Sequence, residues 1–520
     1  MRMTRASQLS GSFTSMLTNC GQAIRAVVIP MLGGTSATPD HRLRGWEVVI
    51  AVLSAIGVAA FTLVPVAALV VFIGCAALWF LGMVGEAFRG KVEGILIWWA
   101  AVFPLGYYFA SFPREQSVVT LDRVVVLVAF IGFFLTKTNA LTQMPAGLQR
   151  AGLACLAFMV IASITLKDSA LPLNAVRILF DGFLLPILLG WCVIAKLDVR
   201  GRLPAIHTAV CISSIISAAI AAAEIVAQQD LLPIGTPAIA YGGIVRPNGP
   251  FESNDTLALI GAVSFFFLLF LRTALGSALS TGRRALHATG LAATLGMALM
   301  PMFRSVAITL FLVLVIDTLW EQKGSRRAWR VVLMLASAGA IFLLPIFAPN
   351  VFEDRSSSEN AYSRVAEYKQ SFRVFVEHPV LGVGFQNFNR FVTGETRFLA
   401  SYRGVYSVDW PHSNVAQVLT ETGILGFVPY MLASVFLFRQ MWQLRQWSIS
   451  GYQASKYFVY MFLSYWVTGL TEGSGYSPLN LVYVFAIAVC CKYVLTDPDL
   501  MHPSSVAFSD VAFGVPSGAY

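Results

Sequence analysis

Long apolar runs recur along almost the whole chain, and they constrain its fold more than any other feature. Most are about 15–20 residues long, close to the length at which a helix crosses the hydrocarbon core of a bilayer. In lipid, backbone N–H and C=O groups must be hydrogen-bonded within the protein, and a helix satisfies this locally. The runs therefore predict an all-α fold, a polytopic membrane helical bundle of about 12–14 transmembrane helices.

The predicted spans alternate with short polar connections. Basic residues collect in the connections on one side, as the positive-inside rule expects, and this places both termini on the cytoplasmic side. The spans are Trp46–Val64, Val66–Val84, Ile95–Phe112, Val124–Leu135, Leu153–Leu166, Ile178–Ile194, Ile206–Ala227, Leu257–Leu271, Ala288–Met302, Val306–Leu319, Val331–Phe347, Ile424–Phe438, Phe458–Leu470 and Leu481–Val494.

Composition supports this class of protein. The chain is 57% hydrophobic and 12% charged, whereas soluble globular chains are about 25% charged. The net charge of +9 follows the membrane topology, so it does not indicate a nucleic-acid partner. The seven cysteines lie almost entirely in or beside apolar runs and show no metal-ligand spacing. We interpret them as small buried hydrophobes and expect no metal site.

Five segments divide the chain. Residues 1–45 are a polar, mildly basic cytoplasmic segment in which no cleavable signal peptide is evident. Residues 46–349 hold most of the transmembrane helices, with a short outer loop near 228–254. Residues 350–422 form a large outer loop, 423–495 the last transmembrane helices, and 496–520 a cytoplasmic tail.

The large outer loop is the longest polar interruption, and helical patterning is visible inside it. Apolar and aromatic residues at helical spacing predict an amphipathic helix from Ala361 to His378, ended by Pro379. We expect its stripe to pack on the membrane domain as core; the stripe is Tyr362, Val365, Tyr368, Phe372 and Phe375.

Three arginines fall on the outer side, against the trend of the basic residues: Arg246, Arg304 and Arg364. Between Asn350 and Pro411, seven Lys or Arg face seven Asp or Glu, so the large loop has no general positive charge. A role for these arginines would therefore have to be local. Arg373 lies further along the helix that begins with Arg364.

Arg304 lies at the turn of an apolar hairpin. An arginine deep in a span costs about 3 kcal/mol on insertion scales, so such residues usually line a cavity or pair with an anion. The simpler alternative is a side chain that reaches the outer headgroups without a function. From position alone the two interpretations are equally supported.

Arg246 belongs to a turn rich in Pro and Gly, just before a span that Ser253 or Asn254 can cap. Such a turn suits an anion, but many ordinary loops have the same composition.

His412 is the best candidate for a catalytic residue. Asp409 can cap a helix that begins near Pro411, which would place His412 in the first turn. The positive end of a helix dipole favours the neutral imidazole, and a neutral imidazole can act as a general base. His378 is the competing histidine of the loop, and a structural role is the more common one for a lone loop histidine. Asn414 and Glu421 share the helix, which we expect to bend at Gly423.

Four segments, in this order, resemble the O-antigen ligase and polymerase superfamily: VRPNGPFESND, MFRSVA, SRVAEYKQSFRVFVEHPVLGVGFQNF and PHSNVAQVLTETGILG. The long outer loop between late spans is also similar. The family commonly has Ser-Arg at the hairpin and adjacent His-Asn, where this chain has Phe303-Arg304 and His412-Ser413-Asn414.

The resemblance implies an inverting, metal-independent glycosyltransferase of the bacterial inner membrane that uses no cofactor. Members take a glycan from undecaprenyl diphosphate on the periplasmic side and pass it to a lipid or glycan hydroxyl. Carried over, His412 is the general base, and Arg246, Arg304 and Arg364 hold the diphosphate. We expect Asn254, Asn414 and Arg373 to make secondary contacts with the substrate.

Alternatives remain open at this level. Within the family, the acceptor distinguishes a ligase, which uses lipid A–core, from a repeat-unit polymerase or an enzyme that glycosylates protein hydroxyls. Outside it, a secondary transporter would explain the many spans and the polar residues inside them, namely Glu224, Asp317 and the expected ion pair of Arg177 with Asp181. No internal repeat supports a transporter.

Overall fold

The structure is a computed structural model that describes residues 80–109, 119–135, 144–169, 171–232, 240–241, 244–276, 280–320, 358–407, 411–471 and 479–497. Fourteen α-helices are bounded within these ranges. They are α1 (Glu93–Phe109), α2 (Leu121–Leu135), α3 (Ala146–Ile164), α4 (Pro172–Leu179), α5 (Leu185–Lys196), α6 (Val199–Ala227), α7 (Asn254–Leu275), α8 (Thr281–Leu299), α9 (Arg304–Trp320), α10 (Ser358–Glu377), α11 (Phe388–Gly394), α12 (Asn414–Leu444), α13 (Ile449–Thr471) and α14 (Leu479–Leu495).

Short irregular elements join these helices. A 3-10 turn at Thr165–Asp168 follows α3, a π-helical turn at Phe180–Leu184 joins α4 to α5, and a second 3-10 turn covers Thr396–Phe398. Two antiparallel hairpins pair β1 (Ala240–Tyr241) with β2 (Ile244–Val245) and β3 (Ser401–Tyr402) with β4 (Val405–Tyr406).

The predicted all-α membrane bundle is confirmed. Among the described residues, five segments are long and apolar enough to cross a membrane: Ala146–Asp168, Pro172–Lys196, Val199–Ala227, Asn254–Leu275 and Asn414–Leu444. Shorter apolar helices accompany them. The predicted spans Trp46–Val64 and Val331–Phe347, most of Val66–Val84, the segment 1–45 and residues 498–520 lie outside the described residues.

The helix α7 forms the centre of the bundle. It packs against α6, α8, α13 and α14, and its apolar residues are buried on nearly every side, including Phe266, Phe267 and Phe270. A helix that is apolar around its whole circumference is expected in such a central position. The residues just before α7 are thereby anchored at one end of the bundle.

The helices α3 and α12 form an antiparallel pair. At one end Gly147 N donates to Oε1 of Gln440, at 3.1 Å. At the other end Phe385 N, in the loop before α11, donates to Oγ1 of Thr165, at 3.2 Å. We call this second end, where α10, α11 and the start of α12 lie, the loop side.

The turn after α10 is bound to α12 by main-chain hydrogen bonds. Val383 N and Gly384 N donate to the carbonyls of Thr420 and Glu421, each at 3.0 Å. Gly423 has φ 60° and interrupts α12 there, as predicted. A Cβ at Gly423 would lie 2.3 Å from the carbonyl of Val380, so this close approach requires glycine. The large loop is therefore held directly against α12.

The predicted amphipathic helix is present as α10, but the expectation about its stripe is wrong. Val365, Tyr368 and Phe372 are exposed, and Tyr362 and Phe375 are half-buried. The side that packs inward carries Ala366, Gln370, Ser371 and Val374 instead. Small and polar residues of α10, rather than its aromatic residues, therefore face the protein.

The expected ion pair between Arg177 and Asp181 is also wrong. Asp181 lies in the π-helical turn and is paired with Arg123 of α2, whose Nη2 is 2.5 Å from Oδ2. Nε of Arg123 also donates to Oδ1 at 2.7 Å, so the contact is bidentate. Planar two-point contact with a carboxylate is the strongest arrangement for arginine. A partner on a neighbouring helix therefore takes the place of the residue one turn away.

Candidate functional site

Arg246 lies in the turn between β2 and α7 and is buried there, 4% exposed. Its Nε donates to the carbonyl of Pro301 at 2.7 Å, and its guanidinium lies 4.4 Å from the centroid of the Phe303 ring. Both partners belong to the connection between α8 and α9. The structure therefore brings Arg246 against the connection that ends at Arg304, although the two arginines are 58 positions apart.

A buried carboxylate holds the turn that carries Arg246. Oε2 of Glu224, near the end of α6, accepts a hydrogen bond from Gly249 N at 2.8 Å. The backbone amides of Asn248 and Leu231 lie close to the same carboxylate. Gly249 has φ 58°, a conformation that glycine adopts without steric cost. Glu224 thus gives an acceptor to amides that the turn leaves without helical partners.

Arg304 is the first residue of α9, and its side chain is exposed. The first amides of a helix have no intrahelical acceptor and form the positive end of its dipole. A guanidinium at this position adds a permanent charge to a terminus that already favours anions. Arg304 therefore lies at the helix end, on the loop side, rather than within the apolar part of the bundle.

His412 and Arg364 lie near one another on the loop side. His412 is half-buried, and burial, reinforced by the charge of Arg364, lowers its pKa to about 4. Arg364 itself forms an ion pair with Glu367, Nη1 to Oε2 at 3.1 Å. The imidazole is therefore neutral at physiological pH, with a cation beside it.

Burial also affects the pKa of Glu367, the ion-pair partner of Arg364. Glu367 is 4% exposed, and burial raises its pKa while the Arg364 charge and the hydroxyl of Ser363 lower it. Ser363 Oγ donates to Oε1 at 3.0 Å. Glu367 thus holds Arg364 from one side through a carboxylate that is itself hydrogen-bonded.

The helix that was predicted to include His412 begins a few residues later than predicted. The helix α12 begins at Asn414, and Ser413 is its N-cap, with Oγ accepting from Ala416 N at 3.3 Å. His412 therefore precedes the helix, and burial rather than its dipole accounts for the neutral imidazole. Asp409, the predicted cap, lies outside the described residues.

The secondary candidates occupy different surroundings. Asn414 is buried, and its Nδ2 would be 3.3 Å from a Cβ placed on Gly469, so it lies against the end of α13. Asn254 begins α7 and is half-buried beside the N-cap residue Ser253. Arg373 Nη1 donates to the carbonyl of Leu399 at 3.2 Å. Asn414 is thus next to His412 in the chain, whereas Arg373 faces the β3 side of the loop.

The helix α13 shows where Arg304 lies relative to His412 and Asn414. It packs on α9 and on α12, and near its other end Lys456 pairs with Asp317 of α9, Nζ to Oδ1 at 2.5 Å. The two helices run antiparallel. Arg304 lies thirteen residues before Asp317, and Gly469 thirteen residues after Lys456. Each is thus about 20 Å from the ion pair along its helix, so Arg304 is level with Gly469.

Comparison with known proteins adds the family. Residues 255–431 match the model of the family described as O-antigen ligase. We call this matched part of the chain the O-antigen ligase domain. A search of curated proteins finds no match. The match supports the resemblance to the O-antigen ligase and polymerase superfamily that the motifs indicated, and this family implies a membrane enzyme that transfers glycans.

The O-antigen ligase domain contains three of the four principal site candidates, Arg304, Arg364 and His412. Arg246 precedes the matched segment by nine residues. It reaches the domain through its contacts with Pro301 and Phe303. The secondary candidates Asn414 and Arg373 also fall inside the matched segment, and Asn254 lies one residue before it.

Sequence reasoning missed the carboxylates that support the site. It considered Glu224 only as part of an ion path, and Glu421 only as a residue of the His412 helix. In the structure Oε1 of Glu421 is 3.4 Å from Nε2 of Gln417 and 3.5 Å from Phe388 N. For Glu224 the available signal was its position, because a glutamate in an apolar span requires a buried partner.

We predict that Glu224→Leu destabilises the protein by about 1–3 kcal/mol, the usual effect of leaving a buried donor without an acceptor. Glu224→Gln keeps a carbonyl oxygen in reach of Gly249 N and should lose much less. Thermal unfolding of the purified protein measures both changes. Val226→Ala, on an exposed residue of the same helix, is the control. Equal effects of Leu and Gln at position 224 would contradict the proposed support.

Proposed function

We propose that this protein is an inverting, metal-independent glycosyltransferase that transfers a glycan from undecaprenyl diphosphate to a hydroxyl acceptor. We assign it to the O-antigen ligase type, with lipid A–core as acceptor, at the periplasmic face of the bacterial inner membrane. The observation that supports this proposal best is the half-buried, neutral His412 beside Arg364, inside the O-antigen ligase domain.

In this proposal His412 acts as the general base. Its neutral ring accepts the proton of the acceptor hydroxyl while the hydroxyl oxygen attacks the anomeric carbon. The bond from that carbon to the diphosphate oxygen breaks on the opposite face, which inverts the configuration. The products are the glycosylated acceptor and undecaprenyl diphosphate, and the imidazolium then releases its proton to water.

A pKa near 4 makes the free imidazole a weak base, and the donor changes this. An anionic diphosphate bound beside His412 favours the imidazolium, because an opposite charge stabilises the charged form. Donor binding therefore raises the basicity of His412 only when the substrate is in place. The low pKa of the free enzyme keeps the ring unprotonated until then.

The arginines hold the leaving group. Guanidinium groups make permanently charged, two-point contacts to phosphate oxygens. Arg246 is already oriented by Pro301 and Phe303, and Arg364 by Glu367. Arg304, exposed at the start of α9, provides the third charge, and Asn254, Asn414 and Arg373 provide secondary contacts. Oriented charges of this kind stabilise the developing diphosphate without reorganisation during the reaction.

Transfer from an undecaprenyl diphosphate-linked glycan should proceed in EDTA with the purified protein. We expect His412→Ala to lower kcat about 10²–10⁴-fold, the range for a lost general base. Arg304→Ala should lower it about 10²–10³-fold, as for a lost charge-stabilising group. His378→Ala and Arg390→Ala, both at loop residues away from the proposed site, are the controls. Activity retained in both site variants would reject the site, and a strict metal requirement would reject the mechanism.

The pH dependence of the reaction tests His412 separately. Its ring loses a proton above a pKa of about 4, so kcat/KM, which reports the free enzyme, should fall only well below the ordinary histidine pKa of about 6.5. The acid limb of kcat should lie at higher pH, because bound diphosphate raises the pKa. Arg364→Gln removes a repelling charge and should move the limb of kcat/KM upward. An acid limb of kcat/KM near pH 6.5 in the unaltered enzyme would contradict this assignment.

The acceptor separates the ligase from the repeat-unit polymerase, which remains the alternative because the superfamily includes both. Deleting the gene should abolish all polymer-capped lipopolysaccharide if the protein is a ligase. Capping by single repeat units would instead identify a repeat-unit polymerase. Chain-length ladders of outer-membrane lipopolysaccharide measure the difference. Intact ladders would direct the search to protein hydroxyls as acceptors.

A secondary transporter is the other alternative, and the polar residues that suggested it have structural partners. Asp317 pairs with Lys456, Asp181 with Arg123, and Glu224 with Gly249. Covalent transfer by the purified protein, in the assay described above, distinguishes an enzyme from a transporter.

A further inference from the structure

Four of the large apolar side chains of α10 are exposed, and together they form what we call the exposed stripe. Val365, Tyr368, Phe372 and Val376 are 39%, 47%, 66% and 56% exposed. Their spacing of three and four residues places them on one face of the helix. Four large apolar side chains on one exposed helix face of a polar loop indicate a surface that binds an apolar partner.

The stripe lies at the loop-side end of the helical bundle. The hydroxyl of Tyr368 donates to the carbonyl of Leu470, at the loop-side end of α13. Beyond the end of α10, Leu425 N donates to the carbonyl of Val380 at 3.3 Å. Both hydrogen bonds connect residues of the loop to helices of the bundle.

The apolar surface continues onto a candidate membrane span. Val380 and Leu381, just after α10, are exposed, and so are Ile424 and Leu425 of α12. The latter two belong to the segment Asn414–Leu444, which is long and apolar enough to cross the bilayer. Their exposed side chains are therefore expected to face lipid, and the α10 stripe extends that lipid-facing surface.

Basic residues border the stripe on both sides. At 100° per residue, Arg364 lies along one edge and Lys369 and Arg373 along the other. Nζ of Lys369 is 4.6 Å from the centroid of the Tyr402 ring, and Arg373 contacts the carbonyl of Leu399. An apolar face flanked by cations is typical of helices that lie in the plane of a membrane surface.

We propose that α10 is an interfacial helix whose stripe inserts into the outer leaflet of the bilayer around the bundle. The flanking cations then lie among the lipid phosphates. Because Arg364 borders the stripe, insertion places its guanidinium at the depth of a lipid-linked diphosphate. The bilayer itself thus positions one wall of the candidate site. This inference concerns the resting protein and does not depend on the transfer reaction.

The test is a nitroxide scan of the full-length protein in bilayers of phosphatidylethanolamine and phosphatidylglycerol, without donor. Labels are placed at Val365→Cys, Phe372→Cys and Val376→Cys, with Arg390→Cys on the exposed side of α11 as the control. The parent protein, treated identically, gives the background from native cysteines. Power saturation measures contact with oxygen, which dissolves in lipid, and with a water-soluble nickel chelate.

Labels on the stripe should show several-fold more contact with oxygen than with nickel, and the label at position 390 the reverse. Equal behaviour at 372 and 390 would reject insertion. Low contact with both reagents would show that protein covers the stripe, and dipolar broadening between labels would identify a second copy of the chain. A lipid-like signal that appears only after undecaprenyl diphosphate is added would assign the stripe to the donor's polyprenyl chain. Each of these results overturns the proposal.

Discussion

The free-energy cost of removing charge from water governs how this protein is built. In an apolar bundle an ionised side chain remains only where a partner or a set of hydrogen bonds compensates its lost hydration. Arg123 and Asp181 meet this condition through a bidentate contact between helices, and Lys456 and Asp317 through a second ion pair. Such contacts determine which helices lie side by side and at what level.

The free-energy cost of removing charge from water also determines the charges in the candidate site. Burial removes the charge from His412, whereas neighbouring groups orient the charges of Arg246 and Arg364. One neutral group and several permanent cations are thereby placed on the loop side of the bundle. In the proposed transfer, this combination serves a step in which a proton moves while an anionic leaving group departs.

Long-range contacts bring the separate parts of the site toward one another. The connection before α9 receives Arg246 from the turn before α7, and α13 packs on both α9 and α12. The large loop is bound to α12 beside Gly423, so the turn after α10 is attached to the helix that follows His412. The O-antigen ligase domain therefore includes both the membrane helices and the loop, and neither part alone carries all the candidate residues.

The sequence by itself determined the class of fold and the existence of the helices, and it supplied the residues of the candidate site as a prediction. Apolar length and periodicity are local properties, so α10 and the bend at Gly423 could be predicted from neighbouring residues alone. Helix ends were less predictable, because Ser413 rather than Asp409 is the cap of α12. Only the tertiary structure decided that Asp181 pairs with Arg123, that Glu224 supports the Arg246 turn, and that the stripe of α10 faces outward. These outcomes depend on which surfaces approach one another in space, and periodicity along a single helix carries no information about that.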